Sequence, residues 1–220
     1  MRWLRLRGLL LANLVLFFSF LVGLAFVGHA HENSELSEHG QPSQTFGQYV
    51  GSSSFGEAVF ENWESEFLQM FMYVLLTAYL VQKGSAESRP IDEPAAQDDD
   101  PRDHRTDRNA PWPVRHGSEV ILRLYENSLA IAFGLVFLLS LWLHAATGAA
   151  TYSEDQALHG GSAVTTWQYF GTSQFWYESL QNWQSEFLAV AAIIGGSIYL
   201  RQRRSAQSKP VHAPHSETGG

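Results

Sequence analysis

The chain has 220 residues, a formal net charge of −8 and no cysteine, which excludes disulfides, thiolate nucleophiles and thiolate metal ligands. The acidic balance argues against a nucleic-acid partner, because neutralising phosphates requires clustered Lys and Arg. Mean hydropathy is only −0.14, yet the apolar residues are gathered into four blocks joined by polar connections, the pattern of a membrane protein.

Residues 8–28 are uncharged and follow Arg2, Arg5 and Arg7, giving about the 20 residues that a spanning helix needs. A cleaved secretory signal is the rival reading, since Gly28-His29-Ala30 has the small-x-small form of a cleavage site. Against it, the run exceeds the usual signal core of about 7 to 15 residues. It also has a counterpart in mid-chain: Leu129, Phe133, Leu139, His144 and Ala145 match Leu14, Phe18, Leu24, His29 and Ala30 at a displacement of 115.

Residues 29–54, with His31, Glu32, Glu35, Glu38 and His39, read as a loop in water. Ser54-Phe55-Gly56-Glu57 fits a capping box opening the next helix. Gln174 and Tyr177 do not reproduce it, so that cap is expected in one half only. The second apolar phase covers 67–81, short of the about 20 residues a bilayer requires, so this helix must carry polar residues inside. Glu66 then falls a few ångströms below the outer edge of a core about 30 Å thick. The segment 84–118, with Pro, Arg and Asp98-Asp99-Asp100, lacks an apolar period and reads as a disordered or loosely ordered linker. A third span covers 127–146, a second loop holds Glu154, Asp155 and His159, and a fourth span ends at Leu200 before Arg201, Arg203, Arg204 and a polar, mobile tail.

Glu61-Asn62-Trp63-Glu64-Ser65-Glu66-Phe67-Leu68 returns 120 residues later as Gln181-Asn182-Trp183-Gln184-Ser185-Glu186-Phe187-Leu188. Further matches at the same displacement, such as Gln48/Gln168, Tyr49/Tyr169, Phe55/Phe175 and Tyr79/Tyr199, are polar or aromatic, which favours duplication over chance likeness of apolar helices. Basic residues flank the outer ends of both hairpins, and the loops at 29–54 and 147–175 contain no Lys or Arg. The positive-inside rule therefore places both termini and the linker in the cytoplasm and the two loops outside. The fold class expected is all-α: an integral membrane four-helix bundle of two tandem helical hairpins, related by a pseudo-twofold along the membrane normal. The first hairpin occupies 1–83, the linker 84–118, the second hairpin 119–204 and the tail 205–220.

The motif beginning at Phe60, with the span after it and Gln82-Lys83-Gly84-Ser85-Ala86-Glu87-Ser88, resembles a bacterial family of uncharacterised integral membrane proteins. The resemblance covers nearly the whole chain apart from linker and tail. It implies a membrane location, here expected to be the bacterial inner membrane, and duplicated hairpins, and carries over no catalytic residue.

On a helix, Asn62, Ser65, Glu66 and Gln69 share one face, repeated by Asn182, Ser185 and Glu186 and continued by the small residues Ala189, Ala192 and Gly196, a stripe suited to helix contact. Trp63 and Trp183 read as interface anchors. Glu61 and Glu64 become Gln181 and Gln184, so only Glu66 and Glu186 are carboxylates repeated in both copies and the candidates for a polar, proton or ion site. His29 and His144 are weak metal candidates, lacking any paired-ligand spacing on one helix, while no role attaches to His31, His39 or His159. No cofactor and no catalytic residue is expected. The leading expectation is a structural or interaction component, leaning away from an enzyme, with the lipid bilayer and a second copy of the chain as partners. A small transporter or channel component using Glu66 and Glu186 is the alternative, and a metal-dependent membrane enzyme the third.

Overall fold

The computed structural model describes residues 2–91 and 93–219, and of Arg2 and Arg5 the backbone only. The basic cluster expected before the first span therefore lies partly outside the described residues. The chain is helical, with no strand among the described residues. Helix α1 spans Arg2–Glu38, α2 Phe46–Val50, α3 Ser53–Tyr79, α4 Trp112–His116, α5 Glu119–Glu126, α6 Ser128–Leu158, α7 Thr166–Phe170 and α8 Ser173–Tyr199.

Two helices are long and apolar enough to cross a membrane, within Leu6–Glu38 and Ser128–Leu158. At 27 residues each, α3 and α8 reach about 40 Å and have the length for a crossing, but they carry the polar motif and are not among those two.

The helices outlast their apolar runs. The water-filled loop expected from 29 is instead helix as far as Glu38, and α6 likewise continues to Leu158. Pairs at i,i+4, His31 with Glu35 and His159 with Asp155, lie on these extensions. Termination comes at Gly40 and Gly160, whose φ values of 68° and 75° are open to glycine at little cost. The amides of Gln41 and Gly161 then close on the carbonyls of Leu36 and Gln156 at 2.8 and 2.7 Å, satisfying helix-end acceptors.

Two further expectations are corrected. Helix α3 begins before the expected box at Ser54: Ser52 Oγ accepts the Phe55 amide at 3.3 Å, and Thr172 Oγ1 does the same for Phe175 at 3.2 Å, so both halves carry the cap. The full capping boxes open the short helices, Thr45 with Gln48 and Thr165 with Gln168. The displacement of 115 between the first and third apolar runs is also replaced. Every boundary from Glu38/Leu158 through Tyr79/Tyr199 differs by 120, so His29 corresponds to Ala149 and His144 to Leu24. Apolar runs rich in Leu and Phe yield matches at several displacements; the helix boundaries decide among them.

The chain divides into two units, Met1–Phe60 with Leu143–Phe175, and Glu61–Trp142 with Trp176–Gly220. In the first, a tyrosine lies over a glycine twice. A Cβ on Gly28 would stand 2.0 Å from the Tyr49 hydroxyl oxygen, and one on Gly148 would stand 2.5 Å from the Tyr169 ring. Tyr49, Tyr169 and Phe175 are buried, with Tyr49 against Phe55 and Tyr169 against Phe175 at ring separations of 5.5 and 5.8 Å. Burial, and then the charge of Glu32, push the Tyr49 hydroxyl above the usual tyrosine range.

In the second unit, Phe67 meets Phe133 at 6.2 Å, and Gly134 admits the Phe71 ring, 3.1 Å from where a Cβ would be. The linker forms short turns and α4, and Arg102 ties it to α5 beyond it by bridging Asp100, Glu119 and Glu126. The backbone amide and guanidinium of Arg102 hold the Asp100 carboxyl below its usual range, and the same guanidinium lowers Glu119. After α8 the tail curls around buried Lys209, whose Nζ donates to the carbonyls of Pro214, His215 and Glu217 at 3.1, 3.0 and 2.8 Å. Ala189 and Ala192 are exposed within the chain, so the small-residue stripe is not packed where helix contact was expected.

Replacing Gly148 by Ala should lower stability by about 1–3 kcal/mol through overpacking against Tyr169. Gly195, with nothing within 4 Å of a new Cβ, should gain up to about 1 kcal/mol on the same change, because glycine is a poor helix former. Thermal unfolding of both variants in detergent measures the contrast.

Candidate functional site

The two motif copies lie on α3 and α8, and the acids that join them are the two that do not recur, Glu61 and Glu64. Asn182 Nδ2 donates to Glu61 Oε1 at 2.6 Å. Trp183 Nε1 donates to Glu64 Oε1 at 2.9 Å, and Glu64 has no exposed surface. An indole N–H and a buried carboxylate satisfy one another here, where either left without a partner would be costly. The Trp183 ring also meets Phe137 and Trp176 at 6.3 and 6.2 Å. Trp63 lies edge-on to Phe67 at 6.4 Å. The signal missed in the sequence is the exchange of Glu61 and Glu64 for Gln181 and Gln184: the two acids stand on α3 only, and their donors, Asn182 and Trp183, stand on α8.

The remaining motif residues separate into local and cross-helix roles. Ser65 Oγ donates to the Asn62 carbonyl at 2.9 Å and Ser185 Oγ to the Asn182 carbonyl at 2.8 Å. Both serines therefore back-bond to their own helix. Ser65 is buried, while Asn62, Glu66 and Ser185 are exposed within the chain. Gln69 Nε2 reaches the backbone carbonyl of the partly buried Glu186 at 2.7 Å. Glu66 stands near enough for its charge to bear on Glu186, so these two carboxylates are brought into one neighbourhood.

His29 and His144 belong to the other unit, and they are used differently. His29 Nε2 bonds the Gln44 carbonyl at 2.8 Å, and Asn33 completes the latch, donating from Nδ2 to that carbonyl at 3.0 Å and accepting the Gln44 amide at 2.6 Å. In the other half Ser153 Oγ, accepting the Val164 amide at 2.9 Å, takes the place of Asn33. His29 is thereby committed to holding the chain after α1. His144 is fully buried, its ring stacked on Phe175 at 4.9 Å. Nearby, Tyr169 donates from its hydroxyl to Glu57 Oε1 at 3.2 Å. A carboxylate oxygen of Glu57 and a ring nitrogen of His144 lie within 4.8 Å of each other. The sequence reading had assigned Glu57 to a helix cap; with Ser52 supplying that cap, its carboxylate meets Tyr169 instead.

The family described as Domain of unknown function (DUF6766) matches residues 1–220. The chain belongs to this family. No curated protein and no solved structure matches it. Membership of DUF6766 assigns no activity, so what the chain does rests on its own chemistry.

Substituting Trp183 by Phe removes a donor from buried Glu64 and should destabilise by about 1–3 kcal/mol. In a double-mutant cycle with Glu64→Gln, denaturant unfolding should return a coupling of about 0.5–3 kcal/mol. Additive losses would show that the bond contributes nothing of its own.

Proposed function

We propose that this is a multi-pass membrane protein of the bacterial inner membrane with a structural or interaction role, its motif serving to fasten one helix to another. The observation that carries the reading is the bareness of α1: only 6% of its apolar window is buried within the chain. Leu9, Phe20, Leu6 and Val27 are 83%, 72%, 76% and 71% exposed. Apolar surface on that scale is stable in lipid and unfavourable in water. A bilayer core about 30 Å thick takes about 20 helical residues, so the polar ends of α1 and α6 extend beyond it. In this reading α3 and α8 also cross, giving two tandem hairpins derived from one duplicated unit, with the termini and linker cytoplasmic and the connections between α1 and α3 and between α6 and α8, which hold α2 and α7, outside. Glu61 and Glu64 within α3 are matched by donors from α8, as polar groups in lipid require.

The closeness in charge of Glu66 and Glu186 favours a second reading, a small transporter or channel component in which these two carboxylates bind a proton or cation. In vesicles reconstituted with the purified chain, Glu66→Gln should then reduce proton flux, and unchanged flux counts against this role.

For the leading reading, the chain should stay with membranes through alkaline carbonate extraction. Reporter fusions at residue 105 and at the C-terminus should be active only in the cytoplasm, and one at residue 42 only outside. Release by carbonate, or a linker reporter active outside, would overturn it.

A further inference from the structure

Helix α5 is amphipathic, but its two sides are set the wrong way round for a helix in water. By helical periodicity Glu119, Leu122 and Glu126 share one side, and Val120, Ile121, Leu124 and Tyr125 form the other. The acidic side is the one held to the linker. Arg102 pairs with Glu119 at 2.9 Å and with Glu126 at 3.2 Å, Arg105 pairs with Glu119 as well, and Leu122 is fully buried. The apolar side is bare: Val120 is 67% and Leu124 56% exposed, and Ile121 and Tyr125 are exposed too. A helix in water settles with its apolar side inward.

What adjoins the bare side says what covers it. Helix α6, long and apolar enough to cross a membrane, begins with only Asn127 between it and α5. Leu129 and Leu135 on α6 are exposed, so uncovered apolar surface continues from α5 into the span. At Asn127 the backbone leaves helical values, with φ −109° and ψ 8°. Asn127 Nδ2 donates to the Arg123 carbonyl at 2.9 Å, and Ser128 Oγ donates to that of Tyr125 at 2.8 Å. Helix α5 therefore has a closed end of its own and is not the first turns of the span. Trp112 on α4, which packs against α5, is exposed, and so are Arg115 and Arg123. Aromatic rings and basic side chains beside an apolar face are the composition of the layer where headgroups meet acyl chains.

We propose that α5 lies in the cytoplasmic surface of the bilayer, with Val120, Ile121, Leu124 and Tyr125 set into the boundary of headgroups and acyl chains and with Arg115 and Arg123 on the phosphates of anionic lipids. The inference rests on the membrane reading above and adds a lipid-binding surface outside the spans. Long basic side chains reach phosphates while their stems stay against apolar surface, and each basic residue near an anionic leaflet adds attraction. Glu119 and Glu126 are held on the other side by Arg102, which thereby fixes the side of α5 that meets lipid.

The chain has no cysteine, so a single introduced cysteine can carry one dye. Full-length Val120→Cys and Leu124→Cys, with Asn109→Cys as a linker reference and Leu135→Cys as a span reference, are labelled and placed in nanodiscs of phosphatidylcholine and phosphatidylglycerol. Lipids with brominated acyl chains quench a dye in the bilayer, and iodide quenches one in water. Dyes at positions 120, 124 and 135 should be quenched by bromine and shielded from iodide, and the dye at 109 should behave in the opposite way. In phosphatidylcholine alone, bromine quenching at 120 should fall about twofold, and Arg115→Gln/Arg123→Gln should show the lower value in both lipids. Iodide quenching at 120 and 124 equal to that at 109, with 135 still quenched by bromine, would overturn the proposal and leave the membrane reading standing. Shielding of 120 and 124 from both quenchers would overturn it by placing protein, such as a second copy of the chain, over this side. Equal bromine quenching in the two lipids would overturn the role given to Arg115 and Arg123. A dye at 135 open to iodide would overturn the membrane reading and the proposal with it.

Discussion

A tyrosine ring laid on a helix glycine is the contact on which most of this structure depends. The ring needs the space that a Cβ would fill, so it can seat only where the helix offers glycine, and that fixes the register of the following segment against the helix. Gly28 with Tyr49 and Gly148 with Tyr169 do this 120 residues apart. The short helices α2 and α7 present the tyrosines, each held by a Thr-Gln capping box that ties its first turn to the preceding residue. From Tyr169 the order passes outward to Glu57 through the hydroxyl bond and to Phe175 through ring contact. Phe175 in turn stacks on His144. A space of one methyl group thus determines where an imidazole and a carboxylate meet.

Polar groups inside long helices make the second constraint. An acid with no exposed surface, such as Glu64, is tolerable only if donors reach it, and the indole of Trp183 supplies one. Trp183 also has an apolar body to bury against Phe137 and Trp176, so one side chain meets both the packing and the hydrogen-bonding demand. This explains how long helices that carry a polar motif can still associate: their polar groups are satisfied in pairs.

Much of the architecture was legible because it depends on periodicity and punctuation. The apolar runs predicted α1 and α6, the polar motif predicted helices on which it recurs, and the exact recurrence of polar and aromatic residues predicted matching boundaries. The helix ends were misplaced because the polar stretch after each apolar run was read as loop, although His39-Gly40 and His159-Gly160 mark the true stops by their left-handed glycines. The equivalence of His29 with His144 failed for a different reason. It rested on apolar residues, which match at many displacements, whereas a glycine that must admit a ring matches at one. The meeting of Glu57 with His144 could not be read from spacing at all, since it depends on three chain segments brought together by those seats.

Recurrence invites use as a filter for function, on the ground that a residue kept in both copies is the one under chemical demand. The geometry argues for the opposite use. Residues that recur, Gly28/Gly148, Tyr49/Tyr169, Phe55/Phe175 and Ser65/Ser185, answer requirements that each half has separately: a register, a ring contact, a bond to its own helix. Residues that differ answer requirements the chain has once. Glu61 and Glu64 accept from Asn182 and Trp183, while the other copy has Gln181 and Gln184 in their places, and His144 stands where the other half has Leu24. Joining two similar halves demands complementarity, which identical faces do not supply for charged groups. The unequal positions are therefore where requirements specific to the whole chain are met.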